Sequence, residues 1–231
     1  MIKIDIITGF PRMLEGPLND SMIRKAQRNQ RVEIELHDLR DYTDDRHKTI
    51  DDYPYGGSAG MVLKIEPIVR CLDTIFTDNK VENAELILPS PRGPIFKQDD
   101  AKRLSLKNHL VFLCGHYKGI DERIYEFYPF KELSVGDYIL SAGEIAALVM
   151  VDAVVRLLPG VLKDIDSAFT DSFEDGLLDA PYYTRPEEFR GKKVPDVLLS
   201  GNHSKIEAWR QERREDVTKE RRPDLYNKYI N

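Results

Sequence analysis

Apolar and polar positions change their period along the chain, and the changes mark its elements. The run IKIDIIT, starting at Ile2, predicts a strand. After the break at Gly9-Phe10-Pro11, NDSMIRKAQRNQ has helical spacing, and VEIELHDL then alternates with period two. A loop dense in turn residues, TIDDYPYGGSAGM, leads to a predicted helix around EPIVRCLDTIF. The alternation continues through AELILPS, a polar helix KQDDAKRLSL, HLVFLC, IDERIYEFY and LSVGDYIL. Strands separated by single helices predict an α/β fold, a mostly parallel sheet with helices on both faces. Ligands in such sheets sit beyond the carboxyl ends of the strands.

Three turns fall at those predicted ends: Ser90-Pro91-Arg92-Gly93-Pro94, Gly115 to Gly119, and Leu140-Ser141-Ala142-Gly143-Glu144. Glycine permits positive φ and close backbone approach, as a tightly held ligand requires. Each turn alone has a plainer reading, that it only reverses the chain. Neither GxxxxGK[ST] nor GxGxxG is present, so the common phosphate cradles are excluded. Cys114 and His116 have no further Cys/His cluster around them, which argues against zinc; no metal ligands are assigned.

The longest apolar stretch, IAALVMVDAVVRLLPGVL, is interrupted by Asp152, Arg156 and Pro159 and predicts a buried helix, not a membrane span. Charges at Lys3 and Asp5 stand where a signal peptide would be apolar. Cys71 and Cys114 are the only cysteines, without CxxC, which fits a reducing, cytoplasmic setting. DIDSAFTDSFEDG, Asp164 to Gly176, holds five acids and no base and predicts a linker or a loop with a task. The expected organisation is a domain over residues 1–162, a linker over 163–176 and a small, mainly helical domain over 177–231. The net charge of −6 is uneven: from Tyr182 to Asn231 there are 12 Lys+Arg against 9 Asp+Glu, or +3, which leaves −9 for the first 181 residues. Asn202 is a candidate cap for a helix placing Ile206 and Trp209 on one face and Arg210, Arg213, Arg214 and Arg221 on another. The interspersed acids support an alternative, a solvated, salt-bridged helix.

Seven blocks carry a resemblance: DYTDDRHKTIDDYPYGGSAGMV, SPRG, CGHYKGIDERI, LSVGDYILSAGE, DAVVRLLPGVL, DSFEDGLLDAPYYTRPEEFRGKKVPDVLLSGNHSKIEAWR and RRPDL. In kind and order they resemble the bacterial tRNA (guanine-N1)-methyltransferase family, nearly end to end. The resemblance implies a C-terminal trefoil knot of the SPOUT type in the first domain. Periodicity does not supply that feature, because threaded chains are rare. It also implies methyl transfer from S-adenosyl-L-methionine to N1 of guanine 37, just 3′ of the anticodon of tRNA. The implied cofactor pocket is Ser90, Pro91, Gly115, Tyr117, Gly119, Val135, Gly136, Asp137, Tyr138, Ile139, Leu140 and Gly143. Tyr138, Ile139 and Leu140 have an alternative as plain core strand.

By the same resemblance Asp171 is the general base, Arg156 stabilises guanine O6, and Asp179 orders the RNA-binding segment. The basic face around Arg210, Arg213 and Arg214 is expected to meet tRNA phosphates. Alternatives stand beside each role. Asp152 and Arg156, four apart on one helix, make an ordinary ion-pair spacing; Asp171 could cap a helix beginning at Ser172, and Asp179 could close a turn. Family members are homodimers with shared active sites, and magnesium is an accessory candidate, though no carboxylate cluster names its ligands. The family turn commonly reads Cys-Gly-Arg-Tyr-Glu-Gly, whereas His116 and Lys118 stand here; GGSAGM replaces Gly-Gly-Gly-Pro-Gly-Met, Ala142 replaces a glycine, and Ala146 sits where proline is frequent. An enzyme acting on another RNA target and a catalytically silent RNA-binding protein are the alternatives in function.

Overall fold

The computed structural model describes residues 1–77, 84–162 and 171–230. The chain divides into two compact units, Met1–Lys163 and Asp164–Asn231. Of the expected linker, residues 163–170 lie outside the described residues, and Asp171 to Gly176 form turns and bends.

The first unit is built on a sheet of β1 (Ile2–Thr8), β2 (Val32–Asp38), β5 (Ala84–Pro89), β6 (His109–Leu113) and β7 (Lys131–Leu133). Their order is β2-β1-β6-β5-β7 and every pairing is parallel. Position in the sheet accounts for the sequence pattern. β1, β5 and β6 are interior and covered on both faces, so they read as continuous apolar runs. β2 is an edge strand and keeps its alternation. Two short strands, β3 (Asp51–Asp52) and β4 (Val62–Leu63), pair antiparallel in a separate sheet, and Leu63 bridges to Ile120 after β6.

Helices cover both faces. Ile2, Ile4, Ile6, Leu110 and Phe112 pack under α1 (Arg12–Leu18), α2 (Ser21–Arg28), α4 (Gln98–Ser105) and α6 (Gly143–Val155). Ile7, Leu86, Leu88, Val111 and Leu113 face α3 (Ile65–Ile75), a 3-10 turn at Leu39–Tyr42 and the short α5 (Ile124–Phe127). α1 carries no helical signature in the sequence because Gly16 and Pro17 interrupt it; burial of Leu14 and Leu18 holds it nonetheless. α6 is apolar nearly all round and packs against α1, α2 and α4. No helix among the described residues is long and apolar enough to cross a membrane.

LSVGDYIL does not continue the alternation as a strand. β7 ends at Leu133, and the Ser134 hydroxyl, bonding both the N–H and the carbonyl of Gly136 at 3.1 Å, folds the chain into a turn with Gly136 at φ 147°. Tyr138 and Ile139 are 58% and 81% exposed, so they are not core strand.

Asp5 is fully buried on the α3 side of β1 and holds three strands together. It accepts from His109 Nε2 at 2.5 Å and His37 Nε2 at 2.8 Å, with the Lys3 ammonium at 3.4 Å. Burial alone would raise its pKa; the two histidine hydrogen bonds and Lys3 outweigh burial and hold the carboxyl well below the ordinary value.

The second unit contains a hairpin, β8 (Glu188–Phe189) with β9 (Lys192–Lys193), and helices α7 (Asp196–Leu199), α8 (His203–Arg221) and α9 (Pro223–Tyr229). Asn202 caps α8, its Oδ1 accepting from Lys205 N at 3.2 Å. Fully buried Thr218 ties α8 to the preceding segment, accepting from Leu178 N at 2.9 Å while donating to Arg214 O at 2.6 Å.

Candidate functional site

The carboxyl ends of β5, β6 and β7 surround a cavity of about 470 Å³, a size suited to a small-molecule ligand. Its walls are the three turns singled out in the sequence together with the segment after β7. Backbone hydrogen bonds fix them to one another. Ser90 N donates to Leu133 O at 2.9 Å, and Gly143 N to Gly115 O at 2.8 Å; His116 and Ala142 form an isolated antiparallel bridge. Two glycines make these approaches possible. A Cβ on Gly143 would lie 2.8 Å from Gly115 N and 3.1 Å from Cys114 Cα, and one on Gly93 would overlap the Glu132 carbonyl.

All of the twelve cofactor-pocket candidates line the cavity except Asp137. Ser90 and Pro91 come from the end of β5, Gly115, Tyr117 and Gly119 from the turn after β6, and Val135, Gly136, Tyr138, Ile139 and Leu140 from the loop after β7. Gly143 opens α6. Tyr117 sits at φ 58° and is about half exposed; burial and a hydrogen bond to Asp51 raise its phenol pKa.

Charge in the cavity is sparse. Arg92 is occupied by Glu122 at 3.1 Å and by Glu132, over the ring of Tyr125. Lys118 is held through its N–H to Met61 O at 3.0 Å, with its side-chain carbons lying against Gly60. The His116 ring lies 4.4 Å from both Phe10, tilted, and Tyr117, edge-on, and its buried Nδ1 has no partner among the described residues. Behind this junction, fully buried Glu144 accepts from the Thr8 hydroxyl at 2.5 Å through Oε1, while Oε2 has no partner among the described residues. Such buried orphans are rare in folded proteins. Burial and the neighbouring Glu144 push the Cys114 thiol pKa up, so Cys114 is an inert strand-end residue.

The remaining candidates are placed as follows. Arg156 follows the last turn of α6, its N–H donating to Asp152 O at 3.1 Å. Asp171 belongs to the second unit; no helix begins at Ser172, whose hydroxyl instead accepts from Asp179 N at 2.9 Å. Asp179 closes a turn, accepting from Ala180 N and from the Tyr182 hydroxyl, each at 2.6 Å. That bond, ahead of burial, raises the Tyr182 phenol pKa. Three arginines of α8 are taken up in ion pairs: Arg210 with Glu207 at 2.9 Å, Arg213 with Asp216 at 3.1 Å, and Arg214 with Asp175 at 2.5 and 2.8 Å. Acids three residues away on the same helix explain the first two pairs, and the Arg214 side chain is only 14% exposed.

Sequence reasoning placed Glu144 only as the end of the third turn and gave it no role, and it missed the buried group around Asp5. Among the described residues the set able to hold a metal is Asp5, Glu35 and His37. The Lys3 ammonium already bridges its carboxylates, 3.4 Å from Asp5 and 3.3 Å from Glu35, so the group is satisfied as an ion network.

Comparison with known proteins gives the geometry its context. The family described as tRNA (Guanine-1)-methyltransferase TrmD matches residues 2–228. A protein of Dictyoglomus turgidum named tRNA (guanine-N(1)-)-methyltransferase is 51% identical over 228 residues, covering 99% of this chain and 91% of that one. Proteins of the same name from Bacteroides thetaiotaomicron and Listeria welshimeri are also 51% identical, covering 97% and 99% of this chain and 99% and 93% of their own lengths. With a match from residue 2 to residue 228 and half of all positions identical, the chain belongs to the tRNA (guanine-1)-methyltransferase family.

Proposed function

We propose that this protein transfers a methyl group from S-adenosyl-L-methionine to N1 of guanine 37 in tRNA, as a cytoplasmic homodimer with shared active sites. The observation that carries the reading is the convergence of three turns on one cavity at the carboxyl ends of β5, β6 and β7, in a chain of this family. The cavity suits the methyl donor in size. Its walls offer backbone amides and carbonyls, with open space where Gly115 and Gly119 would carry side chains. When bound there, the donor supplies an electrophilic sulfonium methyl.

The protein's own work is to hold the guanine and manage its proton. N1 of guanine carries a hydrogen that must leave as the methyl arrives, and negative charge develops on O6. Asp171 takes that proton. Arg156, a fixed guanidinium, stabilises O6. Positioned acid–base catalysis of this kind contributes about 10²–10⁴ in rate.

A trefoil knot of the SPOUT type is part of the proposal, and the path of the chain supports it. Ser134 N donates to Pro94 O and Phe96 N to Ser134 O, at 2.9 and 2.8 Å, so the segment after β7 runs against the loop between β5 and α4. From there it returns past β5 to the end of β6, and α6 packs beside α1, α2 and α4. The exposed Ile145 and Val149 of α6 offer a dimer an apolar face. Magnesium is left out, because Lys3 bridges the one metal-capable group among the described residues.

The test is incorporation of labelled methyl into tRNA, followed by mapping of the modified nucleotide. Product at N1 of guanine 37, lost in Asp171→Asn, is the expected result. Label on another nucleotide would move the substrate, and none at all from the wild-type protein would leave a silent RNA-binding protein.

A further inference from the structure

Every residue from Pro181 to Lys193 is exposed, and the run combines aromatic faces with cations. Tyr182 is 72% exposed and Phe189 62%. The strands of the hairpin pair Glu188 with Lys193 and Phe189 with Lys192, and the turn between them is Arg190-Gly191, with φ of 51° and 75°. That turn presents Arg190 over the ring of Phe189, 5.2 Å from guanidinium carbon to centroid.

Lys193 is paired with Glu188 at 3.6 Å, whereas Arg185, Arg190 and Lys192 have no carboxylate partner among the described residues. The contrast with α8 is direct, since Arg210, Arg213 and Arg214 are all committed to acids. A cation that must give up an ion pair contributes less to phosphate binding than one with no carboxylate partner.

We propose that this hairpin, with Phe189, Arg190 and Lys192 at its tip, is the surface that grips a single-stranded loop of the RNA substrate. The inference rests on the function proposed above and replaces Arg210, Arg213 and Arg214 as the principal RNA contact. Exposed aromatic rings take up unstacked bases, which loops offer and duplexes do not. Arg190 and Lys192 supply phosphate contacts along the same strand, with release of counterions.

The experiment measures binding of a tRNA anticodon stem-loop across a salt series for the wild-type protein, Phe189→Ala and the double variant Arg190→Ala/Lys192→Ala. S-adenosylmethionine uptake and sedimentation report folding and assembly. Loss of a stacked base predicts that Phe189→Ala weakens binding roughly 5- to 150-fold. Loss of two phosphate contacts predicts a logarithmic salt slope shallower by about 1.4. Donor uptake and sedimentation are expected to match wild type. If wild type methylates tRNA while both variants bind the stem-loop with unchanged affinity and slope, the hairpin inference fails and the function stands. A changed sedimentation coefficient would assign the surface to contact between copies of the chain and also overturn it. A wild-type protein that neither binds nor methylates tRNA removes the underlying function as well.

Discussion

Gly143→Ala tests how the cavity is built. The added methyl would lie 2.8 Å from Gly115 N, 3.1 Å from Cys114 Cα and 3.2 Å from Gly115 O, all backbone atoms that no rotamer change can clear. Relief requires the start of α6 to retreat from the end of β6, which breaks the 2.8 Å bond from Gly143 N to Gly115 O. Overpacking costs about 1–3 kcal/mol, and a lost backbone hydrogen bond adds about 1 kcal/mol. At roughly 2–4 °C per kcal/mol for a chain of this size, the midpoint of thermal unfolding should fall by about 4–16 °C. Gly115→Ala is the matched control. A Cβ there meets nothing within 4 Å, yet Gly115 lines the cavity. Calorimetry of thermal unfolding and titration with S-adenosylmethionine separate the two cases: Gly143→Ala loses stability and uptake, Gly115→Ala loses uptake alone. A Gly143→Ala protein that melts within a degree of wild type would refute the close docking of α6 on β6.

Three further outcomes follow from the same geometry. Asp171→Asn should lower the methylation rate by about 10²–10⁴ with donor binding unchanged, as measured by single-turnover kinetics; an unaffected rate would remove Asp171 as the base. Asp5→Asn should cost roughly 1.5–3 kcal/mol at neutral pH, because hydrogen bonds to a buried charge are lost. The native Asp5 carboxyl is held below its unfolded value of about 3.9, so its contribution is complete above that value and disappears as pH falls below about 4. Denaturant titrations from pH 7 to pH 3 should therefore show wild type and Asp5→Asn converging in acid, and a constant gap would contradict the assignment. Glu144→Gln keeps an acceptor for Thr8 while replacing a buried carboxylate with an amide, and should change stability by less than about 1 kcal/mol. A loss of several kcal/mol in chemical denaturation would mean that the unpartnered Oε2 carries a necessary charge.

Much of the first unit was legible because interior and edge strands obey different periods. β1, β5 and β6 read as apolar runs, β2 as an alternation, and the helices between them follow from spacing and caps. Two features resisted that reading for local reasons. α1 holds a glycine and a proline and exists because Leu14 and Leu18 are buried, an effect of tertiary packing on a poor helical sequence. The loop after β7 mimics a strand in LSVGDYIL, yet the Ser134 hydroxyl folds it back on Gly136. The three turns could be seen individually, but only strand order shows that those after β5, β6 and β7 are neighbours. In the second unit the acids that pair with Arg210 and Arg213 stand three residues away on α8 and were legible in the sequence, whereas the partner of Arg214 was not, because Asp175 is brought to it from outside the helix.

The departures from the family's usual turns can be sorted by backbone geometry. In the loop before β4, Gly56, Gly57 and Gly60 have φ of 87°, 78° and 103°, where other residues are strained, while Ser58 and Ala59 are not among the positive-φ positions. Ala142 stands where the family has glycine, but its φ and ψ of −157° and 152° are extended and available to any residue. Gly119 and Gly136, at 140° and 147°, keep glycine. The substitutions therefore fall where a side chain costs no backbone strain, and glycine is retained where the turn needs it. Lys118 is different in kind: it leaves the backbone path intact, with its N–H on Met61 O, and reverses the sign of charge at the cavity wall. A pocket that binds chiefly through peptide groups can absorb such a change without losing its shape. Its effect belongs to whatever approaches the cavity, and an approaching polyanion gains from it.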